Sequence, residues 1–127
     1  MIARRSPVPR RRATPRRSER VVDMAYLAWC RAQPCSVGVW LRSFKDCRLP
    51  IDPHHAGRHV HGLGAKPNDD TAMPACRRHH DDLQFLTGPF KGWGDAERQA
   101  WQDREIARHR SAYLADRLLA YPGEARW

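Results

Sequence analysis

Residues 73–84 read MPACRRHHDDLQ, and this stretch decides the fold because it places two kinds of metal ligand on one short segment. A helix is predicted over residues 75–86, ending at the Thr-Gly-Pro sequence that follows. Cys76 and His79 are three residues apart, so their side chains project from the same side of that helix within one turn. They supply half of a tetrahedral zinc site, since structural zinc sites combine four Cys and His ligands.

The other two ligands of such a site have to come from upstream, where three more cysteines are found. Cys35 and Cys47 are the natural pair, because they flank residues 36–44, SVGVWLRSF, which are rich in β-formers and predict a strand. Cys30 is a competing ligand. No export signal is visible, and in a reducing cytoplasm cysteines near histidines favour metal binding over disulfides. A domain this small also gains stability from a bound metal.

A second group of histidines lies at residues 52–61, DPHHAGRHVH, which hold four of the seven in the chain. His80 and Gln84 are four residues apart and share a different helix face from the zinc pair, so His80 can join a second metal with His54 or His55. Adjacent residues point in different directions, so one member of this pair can bind metal while the other faces a substrate. A neutral imidazole beside a metal-bound phosphate is suited to activate water as a general base.

The positive charge is concentrated at the N-terminus. The chain has 127 residues and a net charge of +9, and residues 1–20 hold eight Arg against one Glu. With three Pro and few apolar side chains, this segment is predicted to be a disordered arm that binds nucleic-acid phosphates; a solubilising tail is the alternative. Arg58 and Lys66, in the Gly-rich loop 56–70, are expected to contact phosphate or face solvent. The arm residues expected to bind DNA are Arg4, Arg5, Arg10, Arg11, Arg12, Arg16 and Arg17.

The rest of the chain divides into a core over residues 21–90 and a C-terminal helix within 91–127. A short helix is predicted from Val21 to about Trp29, and a long one over 95–121 with Asp95 as its cap. The side chains expected to pack this long helix onto the core are Trp101, Ile106, Tyr113, Leu114 and Leu118. No apolar run approaches the length that spans a bilayer.

Four segments taken together resemble the HNH nucleases. They are Cys35, DPHH at 52–55, HGLGAKPND at 61–69 and MPACRRHH at 73–80. Within that superfamily the chain is most similar to the phage-encoded Ref-type recombination-enhancement nucleases and small prophage relatives, over roughly residues 26–90. The resemblance implies an α+β fold: a small zinc-stabilised ββα-metal, treble-clef-like domain with flanking helices and a basic N-terminal arm.

The resemblance also implies individual roles. His55 would be the general base, and His54 and His80 would bind the catalytic metal. Asp70 falls where the family usually has its middle Asn, so it would orient the base or touch the metal. Gln84 stands where many relatives have a third histidine ligand, and its harder carbonyl oxygen suits Mg²⁺ first, with Mn²⁺ or Zn²⁺ as alternatives.

One departure concerns the zinc site, because the family usually has Cys-x-x-Cys where this chain has Cys35 and Gly38. Cys47 or Cys30 must then complete the four ligands.

The expected function is hydrolysis of DNA phosphodiester bonds with low sequence specificity, in phage recombination or on DNA presented by a recombinase filament. The expected location is the cytoplasm, that of the bacterial host if the protein is phage-encoded. The alternative is a catalytically degenerate, zinc-stapled DNA-binding or assembly protein.

Overall fold

The computed structural model describes residues 20–56 and 67–120 as a mixed α+β unit around a two-stranded sheet, which confirms the α+β class. In chain order the elements are α1 (Met24–Arg31), α2 (Ser36–Leu41), β1 (Ile51–His55), β2 (Ala72–Cys76), α3 (Arg77–Phe85) and α4 (Asp95–Ala120), with 3₁₀ turns at Asp69–Thr71 and Gly88–Phe90. The arm arginines, Arg58 and Lys66, predicted to bind DNA, lie outside the described residues. Within the described ranges, no helix combines the length and apolar character needed to cross a membrane.

The sheet is a short antiparallel pair that carries the site residues. β1 pairs with β2 in a register that sets Ile51 opposite Cys76 and His55 opposite Ala72. Successive residues of a strand point to opposite faces, so His54 and His55 face different sides of the sheet. Every residue of β2 is buried, and α3 follows it without a loop. The sheet therefore has a Cys end, at Cys76, which continues directly into α3, and a His end, at His55, which lies at the opposite end of the same strand pair.

The strand predicted over residues 36–44 is wrong, since this segment forms helix α2. Its β-forming residues find no strand partner, and Ser36, Val37 and Gly38 are buried in succession instead of alternating. Tertiary packing therefore overrides the local preference. The helix ends at Arg42, which has a left-handed backbone with φ 55°. The helix predicted over 75–86 starts at Arg77, because the two residues before it belong to β2.

Helix α4 joins two groups of buried side chains. Near its start, Trp101 packs with Phe90, Leu83 and Met73; further along, Tyr113 packs with the α1 group around Tyr26. A buried link fixes the middle of α4: His109 Nε2 lies 2.7 Å from Ser36 Oγ, which donates to the Pro74 carbonyl at 2.6 Å. The expectation that Leu114 and Leu118 pack onto the core is wrong, because they are 51% and 58% exposed.

Candidate functional site

Cys35, Cys47, Cys76 and His79 come together in one cluster, called here the Cys/His cluster, with all four ligand atoms within 4.8 Å of one another. Cys35 caps the start of α2, and Cys76 ends β2 while capping α3. Cys47 lies in the turn-rich segment between α2 and β1, and His79 occupies the first turn of α3. His79 Nδ1 lies 3.5 Å from the Cys35 and Cys47 sulfurs and 3.2 Å from that of Cys76.

The donor set fits a zinc ion. Zinc–sulfur and zinc–nitrogen bonds of about 2.3 and 2.1 Å separate tetrahedral sulfur and nitrogen ligands by about 3.5 Å, which matches the nitrogen–sulfur distances. Burial raises the pKa of the Cys35 thiol, and burial together with the neighbouring thiols raises the pKa of Cys47 to about 12. Buried thiols lose their protons when a cation compensates the charge. Burial also lowers the pKa of His79, which keeps its imidazole neutral, as a ligand must be.

Gly38 explains how the cluster uses Cys47 where the nuclease pattern has a cysteine at position 38. A Cβ on Gly38 would overlap the Phe44 ring and lie 3.2 Å from the Cys47 sulfur. The space that a side chain at position 38 would take is thus filled by Phe44 and Cys47. The competing ligand Cys30 is buried with Tyr26 in the second core group, outside the Cys/His cluster.

A cleft of about 690 Å³ lies on the other side of α3, between the His end of the sheet and α4. Its lining includes His54, His55, His80 and Gln84, which the sequence placed in the site. Three further lining residues come from one face of α4, namely Arg98, Gln99 and Gln102. Sequence analysis did not identify these three residues. Their spacing of one helix turn indicates a shared face, but the many charged residues of α4 favour a solvent-exposed surface.

His54 is buried in the wall of the cleft, at 7% exposed. Its Nε2 lies 2.9 Å from the Gln102 Oε1, so the nitrogen donates and the amide oxygen accepts. The other ring nitrogen, Nδ1, is buried without a hydrogen-bond partner among the described residues. Burial, helped by the neighbouring His80 and His55, lowers the pKa of His54 to about 4 against the opposing effect of the hydrogen bond to Gln102. A neutral imidazole with an unpaired ring nitrogen has the form that binds metal.

The cleft brings His80 beside His54, with ring centroids 4.7 Å apart and the rings edge to face. Gln84 follows one turn later on α3 and lines the same cleft. Arg98 reaches over from α4, and its Nη1 donates to the Leu83 and Gln84 carbonyls at 3.0 and 3.1 Å. The imidazoles of His54 and His80 therefore share the cleft with the Gln84 amide and with the Arg98 guanidinium, which also pairs with Asp95 at 3.0 Å.

His55 points away from His54 and is held by a carboxylate. Its Nε2 lies 3.0 Å from Oδ1 of Asp69, which is 3% exposed. The carboxylate that contacts the expected base is thus Asp69, whereas the sequence prediction named its neighbour Asp70. Burial raises the pKa of Asp69, but the Asp23 amide, His55 and Arg20 outweigh it and leave the pKa below its ordinary value. Asp69 therefore stays ionised and fixes the proton of His55 on Nε2.

Comparison with known proteins adds one relative. No protein-family model matches the chain, and no solved structure matches it significantly. The chain is similar to an uncharacterized Escherichia coli protein, YdfU, with 35% identity over 74 residues. This stretch is 57% of the chain and 19% of YdfU, so the chain spans about a fifth of the length of that relative.

Proposed function

We propose that this protein is a metal-dependent endonuclease of the HNH type that hydrolyses DNA phosphodiester bonds with low sequence specificity. The observation that carries the proposal is the cleft itself: His54 and His80 lie 4.7 Å apart, centroid to centroid, beside a histidine held by a buried carboxylate. One site thus contains a candidate metal pair and a candidate base. The Cys/His cluster serves the fold from a separate set of side chains.

The residues of the cleft fit a divalent cation. His54 offers a buried nitrogen that lacks a hydrogen-bond partner among the described residues, and His80 and Gln84 line the same cleft. The amide oxygen suits Mg²⁺ or Mn²⁺ completed by water, whereas the two imidazole nitrogens suit Zn²⁺, the alternative ion. His54, His80 and Gln84 would hold such a cation, which would supply Lewis-acid polarisation of a phosphoryl oxygen and charge stabilisation of the leaving oxygen.

The protein groups supply the proton transfer. Because the Nε2–H group of His55 donates a hydrogen bond to Asp69, the lone pair of the neutral ring is on Nδ1. This nitrogen is the one that accepts a proton from the attacking water. The ionised Asp69 then stabilises the imidazolium that forms. Arg98 adds a positive charge to the cleft wall, where it attracts a phosphate group. His55 and Asp69 thus act as a base and the residue that orients it.

Plasmid cleavage tests the proposal. Purified zinc-loaded protein is incubated with supercoiled DNA and Mg²⁺, Mn²⁺, Zn²⁺ or a chelator, alongside His55→Ala and the matched histidine control His109→Gln. Metal-dependent nicking that falls by about 10²–10⁴-fold in His55→Ala, and persists in His109→Gln, is expected for loss of a general base.

Two other outcomes would overturn the proposal, the first for the role of His55 and the second for the nuclease activity itself. Cleavage that is unchanged in His55→Ala would assign the activity to other residues or to a contaminant. Salt-sensitive DNA binding without cleavage, including on joints coated by a recombinase, would identify the inactive zinc-stapled DNA-binding protein.

A further inference from the structure

The first described residues of the chain lie against the segment that carries Asp69. The Val21 amide donates to the Asn68 side-chain oxygen at 2.8 Å, and the Asp69 amide donates to the Val21 carbonyl at 2.9 Å. Arg20 Nη1 lies 3.5 Å from the Pro67 carbonyl. Residues 20–23, called here the strap, are therefore fixed along residues 67–69 by backbone and side-chain contacts.

The strap also contacts the Asp69 carboxylate from two directions. The Asp23 amide donates to Oδ2 at 2.9 Å, and the Arg20 guanidinium lies 3.9 Å from Oδ1. Oδ1 is the same oxygen that accepts from His55. Asp23 is in turn fixed, because its Oδ1 caps α1 by accepting from the Tyr26 amide at 3.0 Å. Three groups converge on one buried carboxylate, and two of them belong to the strap.

We propose that the strap is part of the active site, with Arg20 and Asn68 as positioning residues that hold Asp69 so that it orients His55. The inference rests on the proposed nuclease function and extends it to the basic segment that precedes the strap. A carboxylate held by His55 alone is free to rotate about its side-chain torsions. With the strap bound, both carboxylate oxygens have fixed partners and His55 keeps one tautomer.

This placement gives the basic arm a defined starting point. Residues 1–19 contain seven of the eight arginines counted in the first 20 positions, and they join the chain at Arg20. The strap therefore connects the basic segment directly to the residues that hold Asp69. The arm then governs DNA affinity, while the strap governs the rate of the chemical step.

Variants of the full-length chain separate these two roles. Asn68→Ala and Arg20→Ala each remove a contact that holds the strap, whereas Asn68→Asp keeps an acceptor for the Val21 amide. The double variant Arg16→Ala with Arg17→Ala removes the same kind of charge from the arm and leaves the strap intact. Thermal unfolding first establishes that each variant is folded.

Three measurements are compared: kcat for cleavage, Kd for a DNA duplex, and the His55 tautomer by nitrogen-15 NMR at about two pH units above the ordinary imidazole pKa. Asn68→Ala and Arg20→Ala are expected to lower kcat about 10- to 100-fold, with Kd nearly unchanged and a mixture of His55 tautomers. Asn68→Asp is expected to have the wild-type kcat and a single His55 tautomer. The arm variant is expected to weaken DNA binding and keep kcat and the tautomer.

Unchanged kcat and a single His55 tautomer in both strap variants would overturn the inference, as would a loss of DNA affinity alone. If the wild-type protein does not cleave DNA under any condition, the nuclease proposal fails separately. The tautomer of His55 in Asn68→Ala still decides whether the strap positions that residue. A mixture supports the positioning role, and a single tautomer contradicts it.

Discussion

Replacing Cys47 with alanine should remove the bound zinc and a large share of the folding free energy. Cys47 is the ligand that ties the segment between α2 and β1 to the first turn of α3, through the shared contact with His79. Structural zinc contributes about 10–16 kcal/mol in small zinc domains, or roughly 3–4 kcal/mol for each of four ligands. A domain of ordinary stability has about 5–15 kcal/mol in total, so this loss is severe.

Cys30→Ala is the matched control, because Cys30 is a fully buried cysteine outside the Cys/His cluster. Its replacement should cost only about 1–2 kcal/mol, as for other small cavities in a core. The assay combines zinc release measured with a metal-binding dye and thermal unfolding with and without chelator. At about 4–8 °C per kcal/mol in a domain of this size, Cys47→Ala should lower Tm by more than about 12 °C.

The reasoning would be refuted by either of two results. Retention of one zinc per chain with an unchanged Tm in Cys47→Ala would exclude this thiol as a ligand. Loss of the zinc in Cys30→Ala would place the metal at a different set of cysteines. A chelator that lowers Tm in the wild-type protein and in Cys30→Ala alike is the expected pattern.

Three further predictions concern the packing around the cluster and the cleft. Gly38→Ala should destabilise the fold by about 1–3 kcal/mol, although alanine favours helices, because its Cβ would overlap the Phe44 ring; a higher denaturant midpoint would contradict this. Asp69→Asn should lower Tm at neutral pH, and the difference from wild type should shrink as pH falls below about 3.9, because a carboxylate with a lowered pKa stabilises the fold only while ionised. A pH-independent difference would show that ionisation of Asp69 is not involved. Gln102→Leu should weaken Mn²⁺ binding about 10- to 100-fold by removing the acceptor that fixes His54, and calorimetry showing unchanged affinity would contradict that role.

The Cys/His cluster was accessible to sequence reasoning because two of its ligands are three residues apart on one helix turn. Cys76 and His79 defined half of the cluster, and a count of the remaining cysteines left Cys30, Cys35 and Cys47 as candidates. Spacing alone could not choose among them, since the choice depends on how α2 packs. The structure makes the choice because Gly38 leaves room for Cys47.

Other features depended on contacts between distant parts of the chain. Asp69 and Asp70 are adjacent residues of the same type, so the sequence does not distinguish between them. Only the 3₁₀ turn determines which carboxylate reaches His55. Gln102 is 48 residues from its partner His54 and carries no motif of its own. The segment after Cys35 contains strand-forming residues that form a helix, and its first three residues, 36–38, are buried in succession. Local patterns thus gave the chemistry of the site, whereas long-range packing decided its geometry.

The most direct test of the account is whether the cleft binds a divalent metal separately from the Cys/His cluster. Zinc-loaded protein is titrated with Mn²⁺ and bound manganese is followed by electron paramagnetic resonance, for wild type, His54→Ala, His80→Ala and the control His109→Gln. The account predicts one Mn²⁺ per chain in wild type and in His109→Gln, and its loss in both cleft variants while zinc content stays constant. Absence of Mn²⁺ binding in the wild type, or binding that is unaffected in His54→Ala and His80→Ala, would contradict the proposed catalytic metal site.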